Sequence, residues 1–251
     1  MTTTTTTTRV SLRDLNEAAF RALVAHGASH GEARAAARMV LQAELTGGGG
    51  LSALRDDLAA QPWSRTAVEI VDVADESDAQ GEAVELRSQG GNRLLREAPL
   101  AVELVTSGGD ERIVEVQCAV AGTSLLDAAL LEAARVTKTA VAVVIGSATE
   151  RDGAGRSVTQ PSAQVRLARP DGSLGVGTVS HLPSGRVAPT VQGEGVVALR
   201  DVEGLGELDL SWTSADELAQ ARAKAAAVGV TVDARAWDSV YAASRRYLVP
   251  D

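Results

Sequence analysis

A strand, a tight turn, a helix and a second strand follow one another between Arg112 and Ile145. Arg112 to Val120 alternates apolar and polar residues with the two-residue period of a strand. Ala121-Gly122-Thr123-Ser124 is a turn, and Leu125 to Val136 has helical spacing. Thr139 to Ile145 is a nearly continuous β-branched run, the pattern of a strand buried on both faces. A strand followed by a crossover helix and a second strand is a βαβ unit, which demands parallel strands and a right-handed connection. The fold class expected is therefore α/β, or α+β, with a mixed sheet.

The rest of the chain is arranged around that unit. Ser11 with Asp14, and Ser29 with Glu32, have capping-box spacing and open two helices separated by Gly27. Gly47 to Gly50 end the second, and Leu51, Leu54 and Leu58 mark a short third helix. Ala67 to Val73 and Ala83 to Leu86 read as strands, while Leu94 to Val105 suits either helix or strand. Further strands are expected at Ala163 to Ala168, Gly175 to Val179, Val187 to Val191, Gly195 to Leu199 and Glu207 to Trp212. Asp171-Gly172 is a hairpin turn signal. Ser214 and Asp233 open two last helices. This reading divides the chain into a disordered tail (1–10), a helical cap (11–62) and an α/β core domain (63–251).

Composition narrows the function. The formal charge is −9, which disfavours nucleic acid and anionic membrane surfaces as partners. One cysteine excludes an internal disulfide, and three histidines leave little for a metal centre, so no metal and no bound cofactor are expected. Aromatic residues make up 2% of the chain, so the core must come from Ala, Val and Leu. All basic residues except Lys138 and Lys224 are arginine, which with the alanine excess suits a GC-rich bacterial genome. No apolar run is long enough to cross a membrane, and Met1 followed by Thr2 to Thr8 lacks a signal peptide's pattern. A cytoplasmic location is expected.

The candidate site follows from the crossover. Its turn joins the carboxyl end of one strand to a helix amino terminus, where unpaired amides and the hydroxyls of Thr123 and Ser124 favour an anion. The next strand delivers Ser147, Arg151 and Arg156 to the same rim, where open α/β sheets bind ligands. Arg151 is suited to bidentate contact with a carboxylate or phosphate. His181, in Ser180-His181-Leu182-Pro183, is the candidate general acid–base group. The alternative is that Ser124 is only a helix cap, the arginines are solvated and His181 is an exposed loop residue. Gly47 to Gly50 resembles a phosphate loop, but no strand precedes it and no Gly-Lys-Ser/Thr follows, so a flexible connector is the better reading. Cys118 reads as a buried small hydrophobe, and His26 and His30, split by Gly27, do not form a metal pair. The acidic stretch from Asp72 to Glu85 lacks EF-hand spacing and reads as a solvated loop.

Two resemblances bear on function. Ser11-Leu-Arg-Asp-Leu-Asn through Gly31-Glu-Ala-Arg-Ala-Ala-Ala, with Ala236-Trp237 and Arg246-Tyr247-Leu248-Val249-Pro250, resembles an uncharacterised bacterial family, domain of unknown function 3726. That family continues past Tyr-Val-Pro into a glycine-rich, acidic tail, whereas this sequence stops at Asp251. A weaker similarity is to type-2 malate/L-lactate dehydrogenases, which open with two helices and then carry Asp-Leu-Arg-Gly and Ser-His-Gly motifs. The corresponding stretch here, Glu44-Leu45-Thr46-Gly47-Gly48-Gly49-Gly50-Leu51-Ser52, has no histidine. Gly146-Ser147-Ala148-Thr149-Glu150 stands where that family's Asn-x-His-Phe-Gly would fall.

The function expected is binding of a small anionic metabolite, by an enzyme of amino-acid or specialised metabolism that needs no metal. Arg151 and Arg156 would bind the anion, Thr123, Ser124 and Ser147 would orient it, and His181 would move a proton. One alternative is a non-catalytic subunit or scaffold that completes a partner enzyme, or a homo-oligomer. The other is a non-Rossmann NAD(P)-dependent reductase.

Overall fold

The computed structural model describes residues 6–60, 62–63, 68–72, 83–88, 93–108, 113–117, 123–147, 163–179, 194–200, 202 and 208–248. The chain forms two compact units. One comprises Met1–Thr66, Ala121–Ala128 and Asp216–Asp251, the other Ala67–Val120 and Ala129–Ala215. Segments distant in sequence therefore join residues 11–62 in the first unit.

The first unit is helical. Ser11 caps α1 (Leu12–Ala25), accepting from the Asp14 amide at 3.0 Å. Ser29 and Glu32 form the reciprocal capping box of α2 (His30–Thr46). After α3 (Gly50–Ala59), the unit is completed by α6 (Ala215–Val228) and α7 (Ala234–Ser244), the latter capped by Asp233. Helix α1 packs on α2 and α7, and α3 also packs on α7. Their shared core holds Leu15, Leu23, Met39, Val40, Leu51, Leu54 and Val240, each almost without exposed surface. Burying one such side chain contributes about 1.5–3 kcal/mol. A two-stranded antiparallel sheet pairs β1 (Thr7–Val10) with β10 (Val230–Asp233). β1 lies in the segment expected as a tail. Its ordering follows from Val10, which is buried like Val230 and Val232 across the pair.

The second unit is built on an eight-stranded sheet. Its strands are β2 (Val68–Asp72), β3 (Ala83–Ser88), β4 (Ile113–Gln117), β5 (Val141–Ser147), β6 (Ala163–Ala168), β7 (Leu174–Val179), β8 (Glu194–Leu199) and β9 (Asp209–Thr213). The order is β2-β3-β4-β8-β5-β6-β7-β9, mixed as expected, with β3–β4 the parallel pair. The expected side-by-side pairing of β4 and β5 is corrected. Strand β8 lies between them, antiparallel to both, so β4 and β5 run parallel but are not neighbours. Helix α5 (Asp127–Thr137) is the connection between them in sequence. The adjacent parallel pair is instead joined by α4 (Leu94–Ser107), which fills the stretch that suited either helix or strand. Its buried Leu94, Leu95, Ala98, Ala101, Val102 and Val105 repeat at helical spacing, and it packs on β4 and β8.

Val141 to Ile145 of β5 is buried on both faces, at most 6% exposed, as its unbroken apolar run requires. Ala142, Val144, Val165, Leu167 and Leu199 form one cluster of the core on β5, β6 and β8. The Asp171-Gly172 signal is a hairpin turn between β6 and β7, with the Asp171 carboxylate accepting from the Ser173 amide at 2.8 Å. The strand expected at 187–191 lies outside the described residues.

Candidate functional site

Within the first unit, the connector between α2 and α3 meets the turn that precedes α5. Gly48 and Gly49 hold positive φ of 75° and 85°, a conformation that favours glycine, and the chain there reverses in a few residues. Thr123–Leu126 forms a 3-10 turn leading into α5. Ser124 is buried, and its hydroxyl donates to the Gly48 carbonyl at 3.2 Å. Thr46, at the end of α2, donates its hydroxyl to Asp127 Oδ2 at 2.7 Å. Asp127 has no exposed surface and opens α5, where the helix dipole favours a carboxylate.

Glu44 is the residue that sequence reasoning missed. It lies near the carboxyl end of α2, where its own helix dipole disfavours a negative charge. Its side chain instead reaches the amino terminus of α3, accepting from the Leu51 amide at 2.7 Å. Burial pushes its carboxyl above the ordinary value, with the negative charge of Asp233 adding to the rise, while the Leu51 and Gly50 amides pull it down. The available signal was an acidic side chain placed just before a helix break. The amides that a phosphate would have used at this glycine run are thus engaged by the chain's own carboxylate. The run serves as a connector whose helix amino terminus is occupied by the chain's own carboxyl group, which agrees with its reading from sequence.

Thr123 and Ser124 belong to the first unit and Ser147 to the second. Ser147 ends β5 and is paired with Glu194 of β8. In that register Gln117 of β4 and Gly146 of β5 both lie opposite Gly195, so the two strands finish at one edge of the sheet. Arg151, Arg156, His181 and Cys118 lie outside the described residues. His30 is exposed with its ring 5.8 Å from Phe20, and His26 follows α1 with a buried Nε2 that has no hydrogen-bond partner among the described residues. Glu85, from the acidic stretch, sits on β3 and pairs with Arg87 at 2.7 Å. Among the described residues no cluster of three His, Cys, Asp or Glu could hold a metal ion, and no helix is long and apolar enough to cross a membrane.

No protein-family model matches the chain, so the resemblance to domain of unknown function 3726 rests on the residues quoted for it. No curated protein matches it either. Solved structures do. Malate dehydrogenase from Entamoeba histolytica is similar at 12% identity and a TM-score of 0.61, over 98% of this chain and 99% of that one. Malate dehydrogenase from Pyrococcus horikoshii OT3 is similar at 11% identity and a TM-score of 0.58, over 97% of both chains. A dehydrogenase from Sinorhizobium meliloti gives 14% identity and a TM-score of 0.55, over 95% of this chain and all of that one. At such identities the likeness speaks for the fold alone: end to end, this chain has the α/β architecture of malate/lactate dehydrogenase-type proteins.

Proposed function

We infer that the protein binds a small carboxylate-bearing metabolite, of the hydroxy-acid class to which malate and lactate belong. The observation that carries this reading is the end-to-end likeness to malate dehydrogenase structures. It is supported by the shared edge at which β4 and β5 finish, the location where α/β sheets bind ligands. In this reading Arg151 and Arg156 hold the carboxylate, and Ser147 orients the molecule. His181 transfers a proton to or from its hydroxyl oxygen.

One observation favours the non-catalytic alternative. The stretch Glu44 to Ser52, which corresponds to the Ser-His-Gly region of the dehydrogenases, has no histidine. Its helix amino terminus is also filled by Glu44. In a reductase, NAD(P)H would supply a hydride to the carbonyl carbon while the protein supplies a proton to the oxygen. Because the Gly50 and Leu51 amides are engaged, this glycine run does not fit a dinucleotide's phosphates.

Thermal unfolding with L-malate, L-lactate and their 2-oxo counterparts, each alone and with NADH or NADPH, separates the readings. A ligand at about one hundred times its Kd stabilises the native state by about 2.7 kcal/mol. The expected result is a raised melting temperature with one acid, reduced in Arg151→Ala and in Ser147→Ala. No shift with any acid would refute the reading. A further rise that needs the nicotinamide cofactor would favour the reductase.

A further inference from the structure

A second candidate site lies in the first unit, in a groove of about 670 Å³ between α1 and α7. That volume is within the ~300–1,000 Å³ usual for small-molecule sites. The chain has only three Trp, two Tyr and one Phe, yet Phe20, Trp237, Tyr241 and Tyr247 gather around this helix pair. Trp237 and Tyr241 stack at 5.5 Å on the groove wall, and Tyr241 is 51% exposed. Rings left partly in water contribute little to a core that the molecule otherwise builds from aliphatic side chains. They do offer a flat apolar face to a ligand.

The charges around those rings are of both signs. Arg13, Arg21, Asp14 and Glu17 line the same groove. Glu17 pairs with Arg21 at 2.7 Å, and Asp14 accepts from the Ser11 hydroxyl. Arg13 makes no hydrogen bond or ion pair among the described residues and is exposed. Two guanidinium groups and two carboxylates cancel, so a simple anion would meet as much repulsion as attraction. A molecule with both an ammonium and a carboxylate next to a planar ring meets a partner for each part.

We propose that this groove binds a free aromatic α-amino acid. Its carboxylate is held by Arg13, its ammonium lies against Asp14 and Glu17, and its ring stacks on Trp237 and Tyr241. The site goes beyond the metabolite reading above and uses none of its residues.

Calorimetric titration of the full chain with L-phenylalanine, alongside tryptophan emission, tests the proposal. The expected result is saturable binding with a change in emission. Arg13→Ala should weaken it by about tenfold or more, the loss of one charge-assisted contact, and Tyr241→Ala should also weaken it. Phenylpropionate, which lacks the ammonium, and phenethylamine, which lacks the carboxylate, should each bind more weakly than phenylalanine. N-acetyl-L-phenylalanine amide should also bind more weakly, which separates a free amino acid from an aromatic residue in a peptide. Arg13 and Tyr241 are exposed, so both variants should fold, with melting curves as the check. No saturable binding of phenylalanine, unchanged affinity in folded Arg13→Ala, or equal binding of any of the three analogues would overturn the proposal.

Discussion

Glu97 has no exposed surface, yet its carboxyl accepts from the Ser88 hydroxyl at 2.6 Å and from the Arg93 amide at the start of α4. Burial pushes its pKa above the ordinary 4.5, against the pull of those two donors and of Arg96. Glu97→Ala would remove the acceptor used by both donors and is expected to cost about 2–6 kcal/mol in urea unfolding, roughly 1–3 for each lost hydrogen bond to the buried carboxyl. The sign of the pH effect follows from the raised value. From about 4.5 up to that value the folded chain keeps a proton that the unfolded chain has released, so stability falls as pH rises through the window. Glu44 acts in the same direction. Glu97→Gln cannot ionise, so its stability relative to the parent should improve as pH rises across that window. A constant difference between the two unfolding curves would count against a raised Glu97. At this scale the sequence was most legible where partners are close along the chain. The Ser29–Glu32 box and the Asp233 cap needed only three-residue spacing. Glu44 was not legible, because its importance depends on where the amino terminus of α3 turns back.

The elements divide by the same criterion of range. β6 was read to the residue, since its alternation and the Asp171-Gly172 turn are local signals. Helix α4 was ambiguous because Pro99 lies inside it and removes one internal hydrogen bond, breaking the pattern that its buried leucines and valines otherwise set. The position of β8 was beyond local reasoning. It enters between β4 and β5 from residues 194–199, and that choice depends on packing both neighbours rather than on its own composition. The edge pair β7–β9 yields a direct expectation. A Cβ on Gly177 would overlap the Asp209 carbonyl oxygen, and Gly175 lies against the Trp212 ring. Gly177→Ala should therefore loosen β9, with faster amide exchange at Asp209–Thr213 and a loss of about 1–3 kcal/mol, the usual cost of overpacking. Protected β9 amides in that variant would show that the edge yields more readily than its close approach implies. In α2, Ser29→Ala removes one half of the capping box and should cost about 1 kcal/mol in the same unfolding assay.

For the whole molecule, the α/β class was legible because one buried strand, β5, is unmistakable in sequence and restricts what can surround it. The division into units was less so. Residues 121–128 and 216–251 join the first unit through contacts distant in sequence, and β1 pairs with β10 across almost the full length of the chain. Of the candidate site, the structure describes Thr123, Ser124 and Ser147, while Arg151, Arg156 and His181 lie outside the described residues. The most direct measurement is a crystal structure of the protein with L-malate. The account expects the acid's carboxylate against the Arg151 guanidinium, at the edge where β4 and β5 finish. Malate bound elsewhere, with no acid beside Arg151, would contradict it.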